Sequence, residues 1–97
     1  MIQHTVVFSL TYDEGSAEEA EFLSTGRSVL SAIPGVENFV VNRQVSPKSG
    51  FRHQFSMDFV DEDAYTAYNG HPDHVRFVAE RWDQDVAAFQ EFDFVAV

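Results

Sequence analysis

The chain has 97 residues, 44% of them hydrophobic, with ten phenylalanines and no cysteine; that length suits one domain and that composition a packed globule rather than a disordered chain. Six Lys and Arg against sixteen Asp and Glu give a formal charge of −10, which repels phosphate backbones and anionic lipid heads. The absence of cysteine excludes disulfides, thiolate metal sites and a cysteine nucleophile.

From the start, Ile2, His4, Val6, Phe8 and Leu10 alternate with Gln3, Thr5, Val7 and Ser9, the period of a strand with one well-buried face. Ser16-Ala17-Glu18-Glu19 has the spacing of a capping box. The helix it opens carries a stripe of Phe22, Leu23, Val29, Leu30 and Ile33, with Gly26 at a point of close packing, and stops at Pro34-Gly35. A second strand is expected over 36–45. After the turn Ser46-Pro47-Lys48-Ser49-Gly50, a third carries Phe51, His53, Phe55, Met57 and Phe59 on one phase.

Asp61 suits the cap of a short helix with Ala64, Tyr65, Ala67 and Tyr68, ending near Asn69-Gly70. Pro72 then suits the first position of another, whose stripe of Val75, Val78, Ala79, Trp82 and Val86 predicts a helix out to about Ala88. A last strand is expected over 89–97, with Phe92, Phe94 and Ala96 facing one way. The acidic runs read as solvated: Asp61-Glu62-Asp63 at a helix start, and Glu18, Glu19 and Glu21 on an exposed helix face.

Strand, helix, strand, strand, helix pair, strand is the order of a ferredoxin-like α+β unit, an antiparallel four-stranded sheet with helices on one face. Its other face needs cover. Thr5, Val7 and Ser9 on the second phase of the first strand are too apolar for a solvated face and too polar for a core, which predicts a homodimer joined sheet to sheet. No apolar run is long enough to span a bilayer, and the opening Met1-Ile2-Gln3-His4 lacks the regions of a signal peptide. The expectation is a cytoplasmic single domain over 1–97, with no nucleic-acid or membrane partner.

Chemistry concentrates in Tyr68-Asn69-Gly70-His71-Pro72-Asp73-His74, which holds a phenol and two of the four histidines. The other two, His4 and His53, lie on apolar phases of strands, and a buried imidazole without a partner costs free energy. A cavity lined by these rings is therefore expected.

The opening Met-Ile-x-His, Ile33-Pro34-Gly35-Val36 after the first helix, and His71-Pro72-x-His74-Val75 at the last helix together resemble the stress-responsive A/B barrel (Dabb) family over essentially the whole chain. The resemblance implies a dimeric ferredoxin-like α+β barrel. Its polyketide-cyclase members of the olivetolic acid cyclase type use a tyrosine and the second histidine of the His-Pro-x-His segment as catalytic pair, roles that fall here on Tyr68 and His74. Pocket histidines of those members match His4 and His53, and His71 joins them as a candidate substrate-binding residue.

On that reading His74 is a general base that abstracts a proton beside a carbonyl, and the Tyr68 hydroxyl donates to the developing enolate. Neither step needs a metal or organic cofactor. Structural roles compete: His71 before Pro72 as a helix cap, Tyr68 as a core aromatic, His74 bonded to a backbone carbonyl. A four-histidine metal site is disfavoured, because no carboxylate or thiolate is suitably placed beside it. The alternative to an enzyme is a non-catalytic binding or structural protein of the same family, whose interior holds a small apolar molecule or is filled.

Overall fold

In the computed structural model, which describes all of residues 1–97, the alternation at the start of the chain forms β1 (Ile2–Leu10), with His4, Val6 and Phe8 buried on one face. There follow α1 (Ala17–Ser31), β2 (Glu37–Arg43), β3 (His53–Phe59), α2 (Glu62–Gly70), α3 (Pro72–Phe77) and β4 (Val86–Phe94). Between α3 and β4 the chain continues through a π-helical turn (Val78–Trp82) and a last α turn (Asp83–Asp85). The strands make one antiparallel sheet in the order β2-β3-β1-β4, the ferredoxin-like arrangement read from the element order. No helix is long and apolar enough to cross a membrane.

Residues opposite each other in an antiparallel pair share a face, so register fixes which side chains meet beneath the helices. One row is Met57, His4 and Asp93; the next is Phe55, Val6 and Glu91; the third is His53, Phe8 and Phe89. Phe8, Phe22, Phe55 and Phe59 are fully buried in the core between sheet and helices, each contributing on the order of 1.5–3 kcal/mol through the apolar surface it removes from water.

Local signals place the helices. The Ser16 hydroxyl accepts from the Glu19 amide at 3.1 Å, the Asp61 carboxylate from the Ala64 amide at 2.9 Å, and His71 Nδ1 from the Asp73 amide at 3.1 Å. Gly35, with φ +90°, ends the turn after α1. At Gly26 a Cβ would stand 2.6 Å from Phe55 Cζ, so the helix approaches the sheet as closely as the missing side chain allows.

Two expectations are corrected. The last helix ends at Asp85 rather than near Ala88, because Val86 and Ala88 pair with Leu10 and Ser9 and extend the sheet; strand pairing overrides the helical preference of Ala87-Ala88. Within that helix Val75 is exposed and Phe77 is buried. The π-helical turn lets Phe77 and Trp82, five positions apart, face the same core.

Glu19 is the second correction: it is not on a solvated face but 4% exposed. Its carboxylate reaches past the cap to accept from the Gly15 amide at 3.2 Å and from Arg43 at 2.8 Å, and a buried carboxylate is tolerable only with such partners. Glu21 is likewise engaged, by Arg81 at 2.6 Å. Arg81 also donates to Asp85, which accepts from the Tyr12 hydroxyl at 2.7 Å, tying α1, the loop before it and the helix end together.

The face of the sheet away from the helices carries Val40, Thr5, Val7, Phe92 and Phe94. A polar ladder crosses it, Asn42 donating to Gln54 at 2.9 Å and Gln54 to the Thr5 hydroxyl at 2.7 Å. Phe92 and Phe94 stack beside it with ring centroids 5.7 Å apart, and Phe94 is 51% exposed.

Candidate functional site

Three of the rings singled out in the sequence converge. His4 from β1, Tyr68 from the end of α2 and His74 from the first turn of α3 line one cavity of about 220 Å³, closed elsewhere mainly by apolar side chains such as Leu30, Phe55, Met57 and Phe77. The breaker Asn69-Gly70 and the Pro72 start bend the chain so that the Tyr68 and His74 rings lie 4.5 Å apart, centroid to centroid. His4 faces Tyr68 from the sheet at 6.3 Å.

His74 Nδ1 stands 3.1 Å from the Asn69 carbonyl oxygen. A carbonyl only accepts, so that contact places the proton on Nδ1 and leaves the Nε2 lone pair free. Burial lowers the His74 pKa, against the opposing pull of the Asn69 hydrogen bond, and keeps the ring neutral near pH 7. The Tyr68 hydroxyl, on a residue 2% exposed, has its pKa raised well above the ordinary phenol value, chiefly by burial and then by the neighbouring Tyr65 and Glu91. It is a neutral donor at any working pH.

His4 is held differently. Its Nδ1 meets Asp93 at 2.6 Å, and the Tyr65 hydroxyl, 3.0 Å from the same nitrogen, donates to the second Asp93 oxygen at 3.0 Å. Burial above all pushes the Tyr65 phenol up to about 12, so it too acts as a donor. The Asp93 carboxylate fixes the ring orientation and leaves Nε2 as the other free imidazole nitrogen, the arrangement that lets a second residue choose a histidine tautomer.

Sequence reasoning did not single out Asp93, Tyr65, Glu91 or the Asn69 carbonyl. The available signal was faint: with Phe92 and Phe94 on one phase of the last strand, the other phase holds Phe89, Glu91 and Asp93. Only the β1–β4 register shows that these carboxylates face Val6 and His4.

Two of the expected lining residues stand elsewhere. His53 pairs with Phe8, four positions along β1 from His4, or roughly 13 Å at strand spacing. Its Nε2 is 3.4 Å from Glu19, near enough for attraction but too poorly aligned for a hydrogen bond, and neither ring nitrogen has a hydrogen-bond partner. Burial lowers its pKa, with Glu19 pulling the other way. His71 caps α3 through Nδ1 and lies outside the cavity. No three His, Asp or Glu side chains are grouped to hold a metal ion.

The model of the stress responsive A/B barrel domain matches residues 2–96. The chain belongs to that family. It is similar to a stress-response A/B barrel domain-containing protein of Arabidopsis thaliana, 50% identical in an alignment that covers 79% of this chain and 70% of that one. It is also similar to a Dabb family protein of ferredoxin-like fold from Mesorhizobium loti, 50% identical, with a TM-score of 0.98 over 99% of this chain and 96% of that chain. A dimeric ferredoxin-like protein of unknown function from Thermobifida fusca is 26% identical, with a TM-score of 0.75 over 98% of this chain and 90% of that one. The A/B barrel assignment agrees with the sheet order, and it leaves the chemistry of the cavity to be argued from its own side chains.

Proposed function

We propose that this A/B barrel protein binds a small carbonyl compound in the His4–Tyr68–His74 cavity and acts on it by cofactor-free acid–base chemistry of the polyketide-cyclase type. The observation that carries the reading is the fixed tautomer of His74 beside Tyr68: a neutral imidazole with its free nitrogen, and a phenol that stays protonated, share one hollow. His74 Nε2 takes a proton from the carbon next to the carbonyl, and the electron pair moves onto the carbonyl oxygen, which the Tyr68 hydroxyl stabilises by donation. The carbanion equivalent then attacks a second carbonyl of the same molecule, and His74 returns the proton.

The cavity of about 220 Å³ lies below the roughly 300–1,000 Å³ of drug-sized pockets, so the substrate is compact. A homodimer is part of the proposal. The apolar residues of the open sheet face and the dimeric Thermobifida relative support it, and a second sheet would enclose the barrel.

The test is deuterium exchange into the carbon beside the carbonyl of phenylacetone, followed by turnover of short β-polyketones. His74→Ala is expected to lower the catalysed rate by about 10²–10⁴-fold, and Tyr68→Phe by about 10²–10³-fold. Unchanged rates in both variants would remove the two residues from these roles. The mainly apolar lining also suits retention of an apolar molecule without turnover; in that case His74→Ala changes affinity and no exchange is catalysed by the unsubstituted protein.

A further inference from the structure

We infer that the cavity selects uncharged or cationic carbonyl compounds and rejects anionic ones, because its mouth is rimmed by carboxylates with no cation to offset them. This rests on the proposed function and narrows its substrate class. Among the lining residues the ionisable groups are His4, Tyr68, His74, Asp83 and Glu91, and there is no lysine or arginine. Asp83 opens the last helical turn and Glu91 faces Val6 from β4; both are exposed, at the entrance rather than the floor.

Two features make these charges effective. Glu91 forms no ion pair, and its field is felt inside, where it opposes ionisation of the Tyr68 phenol. Asp93, two residues along the same strand face, adds a third carboxylate behind His4, and its own partners are His4 and the Tyr65 hydroxyl, neither a fixed cation. The arginines nearest along the helix are engaged elsewhere, Arg81 by Glu21 and Asp85 and Arg76 by Asp73.

A carboxylate or phosphate entering this mouth would be desolvated beside like charges, which costs free energy at each approach. An amide, a ketone or an ammonium would not meet that barrier. The chain's overall charge of −10 works in the same direction at longer range and is screened by salt. A free carboxylic acid is thus a poor substrate, and a neutral ketone, amide or ester a good one.

The experiment compares three compounds that differ only at the end remote from the ketone: 4-(2-oxopropyl)benzamide, 4-(2-oxopropyl)benzoate and 4-(2-oxopropyl)benzylamine, the last a cation at pH 7. Affinity is measured by titration at low and high salt, and deuterium exchange beside the ketone is followed in parallel. The amide and the ammonium are expected to bind about tenfold more tightly than the benzoate at low salt, with the gap shrinking at high salt. Glu91→Gln together with Asp83→Asn is expected to reduce the gap to about threefold or less.

Equal or tighter binding of the benzoate, with exchange still dependent on His74, would overturn the charge selection and leave the proposed function standing. Failure of all three compounds to bind or exchange would overturn both.

Discussion

The Asn69 carbonyl fixes the tautomer of His74; a backbone carbonyl partner was foreseeable for a histidine at a helix start, but which carbonyl it meets was not. Tyr68, His74 and His4 were legible as chemistry-bearing side chains because polar rings are rare on apolar phases. Their partners were not, since Asp93 and Tyr65 acquire meaning only when β4 is laid beside β1. At the same scale, Gly26 is a packing constraint open to a direct test. A methyl there would meet the Phe55 ring, itself hemmed in by Phe8, Phe22 and Trp82. Overpacking costs typically 1–3 kcal/mol, against about 0.5–1 kcal/mol gained by replacing a helical glycine with alanine. Gly26→Ala is therefore expected to destabilise by about 1 kcal/mol in urea denaturation; a stabilised variant would show that the ring yields freely.

Among the elements, the helix that follows Pro72 shows where periodicity misleads. A stripe counted at 3.6 residues per turn selects Trp82 correctly but also the exposed Val75, and it misses Phe77, which the π-helical turn brings to the same core as Trp82. The helix start, by contrast, was written in Pro72 and Asp73. The start of α1 hides a second lesson, because Glu19 combines a cap with a buried contact to Arg43 and His53. This cluster makes stability depend on pH.

His53 and His74 both have lowered pKa values in the folded protein, mainly from burial, so the unfolded chain binds more protons once pH falls below the ordinary histidine value of about 6.5. Stability is full above that value and declines as pH falls toward the folded pKa values. Burial alone would raise the Glu19 carboxyl, yet hydrogen bonds from Arg43 and Gly15 leave it lower than usual; its contribution is present above the ordinary carboxylate range and lost as pH falls through its folded value. Thermal melts are expected to show one decline beginning near pH 6.5 and a second at more acidic pH. His53→Phe should reduce the first, leaving the part due to His74, and an unchanged profile in that variant would rule out a contribution from His53.

For the molecule as a whole, the ferredoxin-like order was legible because two strands alternate cleanly and Pro-Gly and Asn-Gly breaks punctuate the helices. The expectation that a second copy covers the open sheet face rested only on its composition. Thr5 is 5% exposed there, under Gln54 and beside Phe92, while Val40 and Phe94 remain 41% and 51% exposed. If this face joins two copies, Phe94→Asp should convert a two-chain species into a single chain in analytical ultracentrifugation. Its effect on the folding of one chain should be small, about 0.5 kcal/mol or less, because the side chain is half exposed. A monomeric unsubstituted protein at micromolar concentration would defeat the dimer.

One irregularity governs more than its size suggests. The pairing of β4 with β1 shifts between Ser9 and Leu10, and because side chains alternate with a period of two, a slip by a single residue would exchange the two surfaces of the strand. Asp93 and Glu91 would turn outward, and Phe92 would press against His4. That small offset thus acts as the common zero of two scales, and an insertion or deletion between the end of the helix and Phe89 would misalign the cavity wall and the outer sheet face together.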